Sequence, residues 1–94
     1  MKIKINSLDA IIFDFDGVLT DNKVYVFQDG KEAVKCNRAD GLGFDILREN
    51  KLPVFILSTE KNEVVKFRAE KLGVPAIHGV DNKGETLKKL VDEY

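Results

Sequence analysis

At 94 residues the chain has room for one domain around one small core, because at this size folding can hide only a limited share of the surface. Its 15 lysines and arginines nearly cancel 16 aspartates and glutamates, with no block of either sign, so neither nucleic acid nor an anionic membrane is expected as the main partner. A single cysteine, Cys36, excludes an internal disulfide and a cysteine-rich metal site, and the longest early apolar run is too short for a signal peptide or a membrane span; a cytoplasmic protein is expected.

No repeat or low-complexity stretch divides the chain, which reads as one domain over residues 1–94. Ala10-Ile11-Ile12-Phe13 shows no polar alternation and ends in acidic residues and Gly17, the pattern of a parallel strand buried on both faces. Val24 to Phe27 and Ala33 to Val34 flank Asp29-Gly30, a dipeptide suited to a tight hairpin turn. From Asp40 to Asn50 the spacing of Leu42, Ile46 and Leu47 predicts a helix, weakened at its start by Gly41 and Gly43. Pro53 to Leu57 is a second buried strand, closed by Ser58-Thr59. Asn62 to Leu72 carries Val65, Ala69 and Leu72 on one helical face, with Gly73 as its stop. Ala76-Ile77-His78 is a short third strand. Asn82, with Glu85 three residues on, caps a last helix carrying Leu87, Leu90, Val91 and Tyr94.

Strands alternating with helices imply a parallel sheet covered on both faces, and in such sheets ligands gather at the carboxyl ends of the strands. Asp14, Asp16, Ser58 and Lys83 all fall there. Asp14 and Asp16 are two apart, so the strand period aims both carboxylates to one side while Phe15 enters the core. Two anions in one small space raise a pKa unless a cation offsets them, and hard carboxylate oxygens favour magnesium. Asp14 then suits the role of a nucleophile on phosphorus, forming an aspartyl phosphate, and Asp16 that of its acid/base partner. The Ser58 hydroxyl would orient the phosphoryl group and Lys83 neutralise it.

Each element also has a plainer explanation. Asp-x-Asp is common in turns, Ser58-Thr59 suits a helix-entry cap, and Lys83 alone is a solvated lysine. A calcium loop is disfavoured because Val18-Leu19 stand where oxygen ligands are needed. His78 has no second ligand type nearby and reads as structural, and Cys36 as a half-buried strand residue.

Asp14-Phe15-Asp16-Gly17-Val18-Leu19-Thr20-Asp21 resembles the first motif of the haloacid dehalogenase superfamily, Ser58 its second and Lys83 its third. The direct passage into a hairpin, followed by Arg38-Ala39-Asp40-Gly41-Leu42-Gly43, resembles the capless 3-deoxy-D-manno-octulosonate 8-phosphate phosphatases. It equally resembles their nonulosonate 9-phosphate relatives and the phosphatase-like module of some acylneuraminate cytidylyltransferases. The likeness runs over essentially the whole chain, and Ser58-Thr59-Glu60-Lys61-Asn62 leans toward the nonulosonate branch.

That resemblance implies a Rossmann-like α/β fold with a hairpin after the first strand, and a homotetramer in which Val24 to Val34 contribute to a neighbour's site. It also implies Mg2+ held by Asp14, the main-chain carbonyl of Asp16 and a later aspartate. The later aspartate would lie beyond Tyr94, so the chain resembles a domain truncated before its fourth motif. The 94 residues alone are expected to be inactive or nearly so, with the first strand an exposed edge.

Gly17, Thr59, Glu60 and Lys71 are the candidates for touching substrate. Glu60 follows the second strand and would accept hydrogen bonds from sugar hydroxyls. Lys71 would neutralise Glu60 or bind a substrate carboxylate, unless it is a plain surface lysine. The leading expectation is a magnesium-dependent phosphatase of a 2-keto-3-deoxy sugar acid phosphate; the alternative is a noncatalytic oligomerisation or regulatory module.

Overall fold

The computed structural model describes residues 7–93. Strand β1 (Ile11–Phe13) leads through a tight turn into a hairpin of β2 (Thr20–Val26) and β3 (Glu32–Cys36). Helix α1 (Asp40–Glu49), β4 (Val54–Leu57), α2 (Val64–Leu72), β5 (Ala76–Ile77) and α3 (Lys83–Glu93) follow. The last residue expected on the α3 face, Tyr94, lies outside the described residues.

The sheet runs β1-β4-β5, all parallel, with Ile11 opposite Val54 and Leu57 opposite Ile77. The most apolar run, Val54–Leu57, is therefore the central strand, and the carboxyl ends of all three strands open toward one side. Beneath them Phe15, Phe44, Ile56, Val65, Ala69 and Leu72 form the core. Phe13 meets Phe44 edge to face at 5.0 Å between ring centroids. Helix α2 buries Val65, Ala69 and Leu72, the face expected of it, and Gly73 ends it in the left-handed region at φ 71°.

The expected burial of β1 needs correction, and α1 and α3, though present where expected, do not bury every apolar residue that marked them. Residues Ile11–Phe13 are half-buried and not enclosed on both faces, because among the described residues β1 has β4 alone as a neighbour. Helix α1 turns Phe44 inward with Leu47 half-buried beside it, whereas Leu42 and Ile46 are 69% and 56% exposed. Both sit two positions from Phe44, about 200° around the helix, so their spacing of four marked the opposite face. On α3 Leu90 is buried, but Leu87 and Val91 are exposed.

The hairpin strands are longer than expected; β2 is exposed beyond Thr20, while β3 sets Val34 and Cys36 against the core. Their turn is a three-residue loop: Phe27 N–H donates to the Lys31 carbonyl at 2.8 Å, with Gly30 at φ 87°.

Gly73 supplies a test of this packing. A Cβ there would lie 2.8 Å from Arg48 Nη2, whose guanidinium donates to the Leu72 carbonyl at 2.8 Å. Gly73→Ala is expected to strain the left-handed residue and dislodge Arg48, costing about 1–2 kcal/mol. Urea unfolding should show a lower midpoint at unchanged slope; an unchanged midpoint would mean the helix stop carries no strain.

Candidate active site

The chain leaves β1 at Asp14 and closes a helical turn, with Leu19 N–H donating to the Phe15 carbonyl at 2.9 Å. Phe15, fully buried, anchors that turn to the core between the two aspartates. Asp14 Oδ1 accepts the Phe15 N–H at 2.7 Å and also receives Lys83 Nζ at 3.0 Å. The other carboxylate oxygen, Oδ2, takes no hydrogen bond among the described residues. Gly17 turns the backbone at φ 78°, and its N–H donates to Thr20 Oγ1 at 3.2 Å.

Lys83 reaches Asp14 because the segment before α3 is fastened to the end of β4. Val80 N–H donates to the Ser58 carbonyl at 3.2 Å and Gly79 N–H to the Glu60 carbonyl at 2.8 Å. Asn82 then caps α3, its Oδ1 accepting the Glu85 N–H at 3.1 Å, as its spacing to Glu85 led one to expect. Lys83 is thus the first residue of a capped helix and not a free surface lysine.

Ser58 is 1% exposed, and its Oγ accepts the Glu60 N–H at 3.0 Å, leaving the hydroxyl proton to donate. Thr59 beside it is exposed. Glu60 folds back so that Oε1 accepts the Asn62 N–H at 2.9 Å.

Burial raises the Asp16 pKa above the ordinary carboxylate value, the charges of Glu60 and Asp14 raise it further, and Lys83 opposes them. Asp14, Asp16, Glu60 and Lys83 therefore share one electrostatic site. Lys71 is not brought into this group. It lies in the last turn of α2, seven residues and about 10 Å along the axis from Val64, at the end away from the strand tips. His78 is half-buried, with its Nδ1 enclosed and without a partner among the described residues. Cys36 is likewise half-buried, and burial raises its thiol pKa.

Asn22 was passed over in the sequence. It adopts φ 63° and sets its side chain against Gly17. The available signal was the pair Asp21-Asn22, two turn-forming residues inside what would otherwise be strand.

The donors here are hard oxygens. Among the described residues no cluster of three or more histidine, cysteine, aspartate or glutamate side chains could hold a metal ion. One carboxylate, Asp14, and one main-chain carbonyl, that of Asp16, would suit a cation that keeps several waters, which is the habit of Mg2+.

No protein-family model matches the chain. The 3-deoxy-D-manno-octulosonate 8-phosphate phosphatase KdsC of Escherichia coli strain K12 is 31% identical over 91 residues, which cover 96% of this chain and 48% of that protein. N-acylneuraminate cytidylyltransferase A of Danio rerio is 28% identical over 95 residues, 98% of this chain and 22% of that protein. Among solved structures, a Streptomyces avermitilis protein described as a HAD family hydrolase superposes with a TM-score of 0.91 at 45% identity, covering 97% of this chain and 52% of that one. A 3-deoxy-D-manno-octulosonate 8-phosphate phosphatase of Moraxella catarrhalis, determined with magnesium, phosphate and KDO, gives 0.86 at 27% identity, covering 95% and 52%.

The fold is thus that of the HAD-family hydrolases. Within that class, the chain's homologues and structural neighbours include KdsC-like phosphatases, and a similarity to an acylneuraminate cytidylyltransferase stands beside them. The chain spans about half the length of these phosphatases and about a fifth of the cytidylyltransferase. Among the described residues no helix is long and apolar enough to cross a membrane.

The raised Asp16 pKa makes a prediction about stability. The folded state holds that proton more tightly than the unfolded chain does, so stability falls as pH rises from the ordinary carboxylate value of 3.8 through the raised one. Asp16→Asn cannot ionise and escapes that loss. Its melting temperature minus that of the parent should grow between pH 3 and pH 7; a difference flat with pH would show that Asp16 titrates normally in the fold.

Proposed function

We propose that these residues form the phosphoryl-transfer site of a magnesium-dependent phosphatase acting on a 2-keto-3-deoxy sugar acid phosphate, an octulosonate 8-phosphate or nonulosonate 9-phosphate. One observation carries the reading. Asp14 Oδ1 is occupied by the Phe15 N–H and Lys83, while Oδ2 is left unpaired among the described residues at the mouth of the sheet. A carboxylate clamped through one oxygen presents the other in a fixed direction, as a nucleophile needs.

In this reading Asp14 Oδ2 attacks phosphorus, the bond from phosphorus to the sugar oxygen breaks, and the Asp16 carboxyl gives its proton to that oxygen. The raised Asp16 pKa favours the protonated form that this step consumes. Asp16, now ionised, takes a proton from water. The resulting hydroxide attacks the aspartyl phosphate, releasing phosphate and restoring Asp14. The Ser58 hydroxyl donates to a phosphoryl oxygen, and Lys83 offsets its charge. Mg2+, held by Asp14 and the Asp16 carbonyl, would supply further neutralisation of the phosphoryl oxygens when bound.

Gly17, Thr59 and Glu60 border the space for the sugar. The hairpin exposes Val24, Tyr25, Val26 and Phe27, a surface consistent with assembly into a homotetramer, and the reading places the protein in the cytoplasm. Support also comes from the KdsC homologues and from the magnesium, phosphate and KDO held by the Moraxella catarrhalis neighbour. A second reading, a noncatalytic module beside a cytidylyltransferase, is favoured by the Danio rerio similarity.

In the full-length protein, Asp14→Asn is expected to abolish phosphate release without loss of the fold, and Asp16→Asn to slow it by roughly 10²-fold or more. Circular dichroism and phosphate release from the sugar phosphate check both; retained turnover by Asp14→Asn would sink the nucleophile assignment, whereas no turnover by the full-length parent would favour the noncatalytic reading.

The described residues bring too few protein ligands together to fix a magnesium ion firmly. Turnover of a generic phosphate ester by the 94 residues alone is expected to lie roughly 10²-fold or more below that of the full-length protein. Comparable rates at saturating magnesium would show that Asp14 and the Asp16 carbonyl suffice.

A further inference from the structure

Asn22 stands beside the catalytic turn without a part in the steps above. It lies where the hairpin register shifts between Thr20 and Val24, and its backbone is left-handed at φ 63°. Glycine adopts that conformation without steric cost, whereas asparagine merely tolerates it, so the bend by itself does not call for a side chain.

The side chain is set against the turn that presents Asp16. A Cβ on Gly17 would lie 3.4 Å from Asn22 Cγ and 3.6 Å from its Oδ1. One hydroxyl holds both segments: Thr20 Oγ1 accepts the Gly17 N–H at 3.2 Å and the Asn22 N–H at 3.1 Å. Thr20 is itself only 9% exposed, so this clasp is anchored in the fold. Asn22 is exposed, and its carboxamide takes no partner among the described residues.

Resting on the phosphatase reading, we infer that Asn22 is a specificity-determining residue for the leaving group: its carboxamide binds a hydroxyl close to the ester oxygen that Asp16 protonates. Gly17 directly follows Asp16, so the carboxamide lies against the residue next to the proton donor. A carboxamide offers an acceptor and a donor side by side, matching a hydroxyl that both donates and accepts. It is also neutral, and it adds no charge where Asp14, Asp16 and Glu60 already crowd one another.

The test uses the full-length protein and two small esters. Glycerol 1-phosphate carries a hydroxyl on the carbon next to the ester carbon, and n-propyl phosphate lacks it. Asn22→Gly keeps the left-handed backbone and removes the carboxamide. The preference for glycerol 1-phosphate, as a ratio of kcat/KM values, is expected to fall roughly 3- to 10-fold, the worth of one hydrogen bond. The melting temperature should be no lower than the parent's. An unchanged preference, or an equal fall for both esters, would overturn the inference.

If the parent hydrolyses neither ester, phosphate release from the sugar phosphate tests the phosphatase reading separately and the parent's own amide resonances decide the inference. An Asn22 side-chain shift on adding glycerol 1-phosphate, absent with n-propyl phosphate, supports it. No shift, or the same shift with both, overturns it.

Discussion

The ion pair between Lys83 and Asp14 is the contact on which the candidate site depends. It joins the end of β1 to the start of α3, and it can form only when β4 lies between β1 and β5 and the segment after β5 is fastened to Ser58 and Glu60. Both side chains are partly exposed, at 37% and 47%, so the pair adds little to stability. Its importance is geometric. It fixes which carboxylate oxygen is engaged and which is left over, and it puts a cation at a place where three carboxylates converge.

That convergence sets stability against chemistry. Asp16 is held in a partly desolvated position beside Glu60 and Asp14, an arrangement no structural requirement of the sheet calls for. The core beneath is correspondingly orthodox. Phe15, Ile56 and Val65 are fully buried and carry no polar atoms. The backbone around the site is tied down by hydrogen bonds from Gly17, Glu60, Gly79 and Val80. Rigid mounting of mutually repelling groups is how a fold stores the electrostatic asymmetry that a transferring phosphoryl group can use.

Much of this was legible in the amino-acid order because the relevant signals are local. Apolar runs marked β1 and β4, Gly73 marked the end of α2, and Asn82 marked the start of α3. The four residues at the strand tips followed from topology alone. Helix α1 was legible in its extent, but its inward face was not, because two faces carry apolar residues, and only packing against Phe13 selects Phe44 over Leu42 and Ile46. The hairpin was drawn too short because β2 is exposed beyond Thr20, so Asp21 to Lys23 show no alternation to read. Lys71 was grouped with Glu60 by helical spacing, which says nothing of which end of α2 faces the strand tips. Asn22 left no periodic trace at all; its role depends on one dihedral angle and on what lies across from it.

Strand β1 has a thermodynamic consequence of its own. Among the described residues it pairs along one side, where Ile11 N–H donates to the Pro53 carbonyl, and alternate residues of a parallel strand face opposite edges, so the Ile12 backbone points to the open one. Asp14 is mounted directly on the end of this strand. Whatever segment or molecule pairs with the open edge narrows the motion of the strand and, with it, the excursions of the carboxylate. Reciprocity then requires that anything gripping Asp14 more tightly in the ordered state strengthens binding at the edge. Edge occupancy and order at the candidate site are two readouts of a single equilibrium.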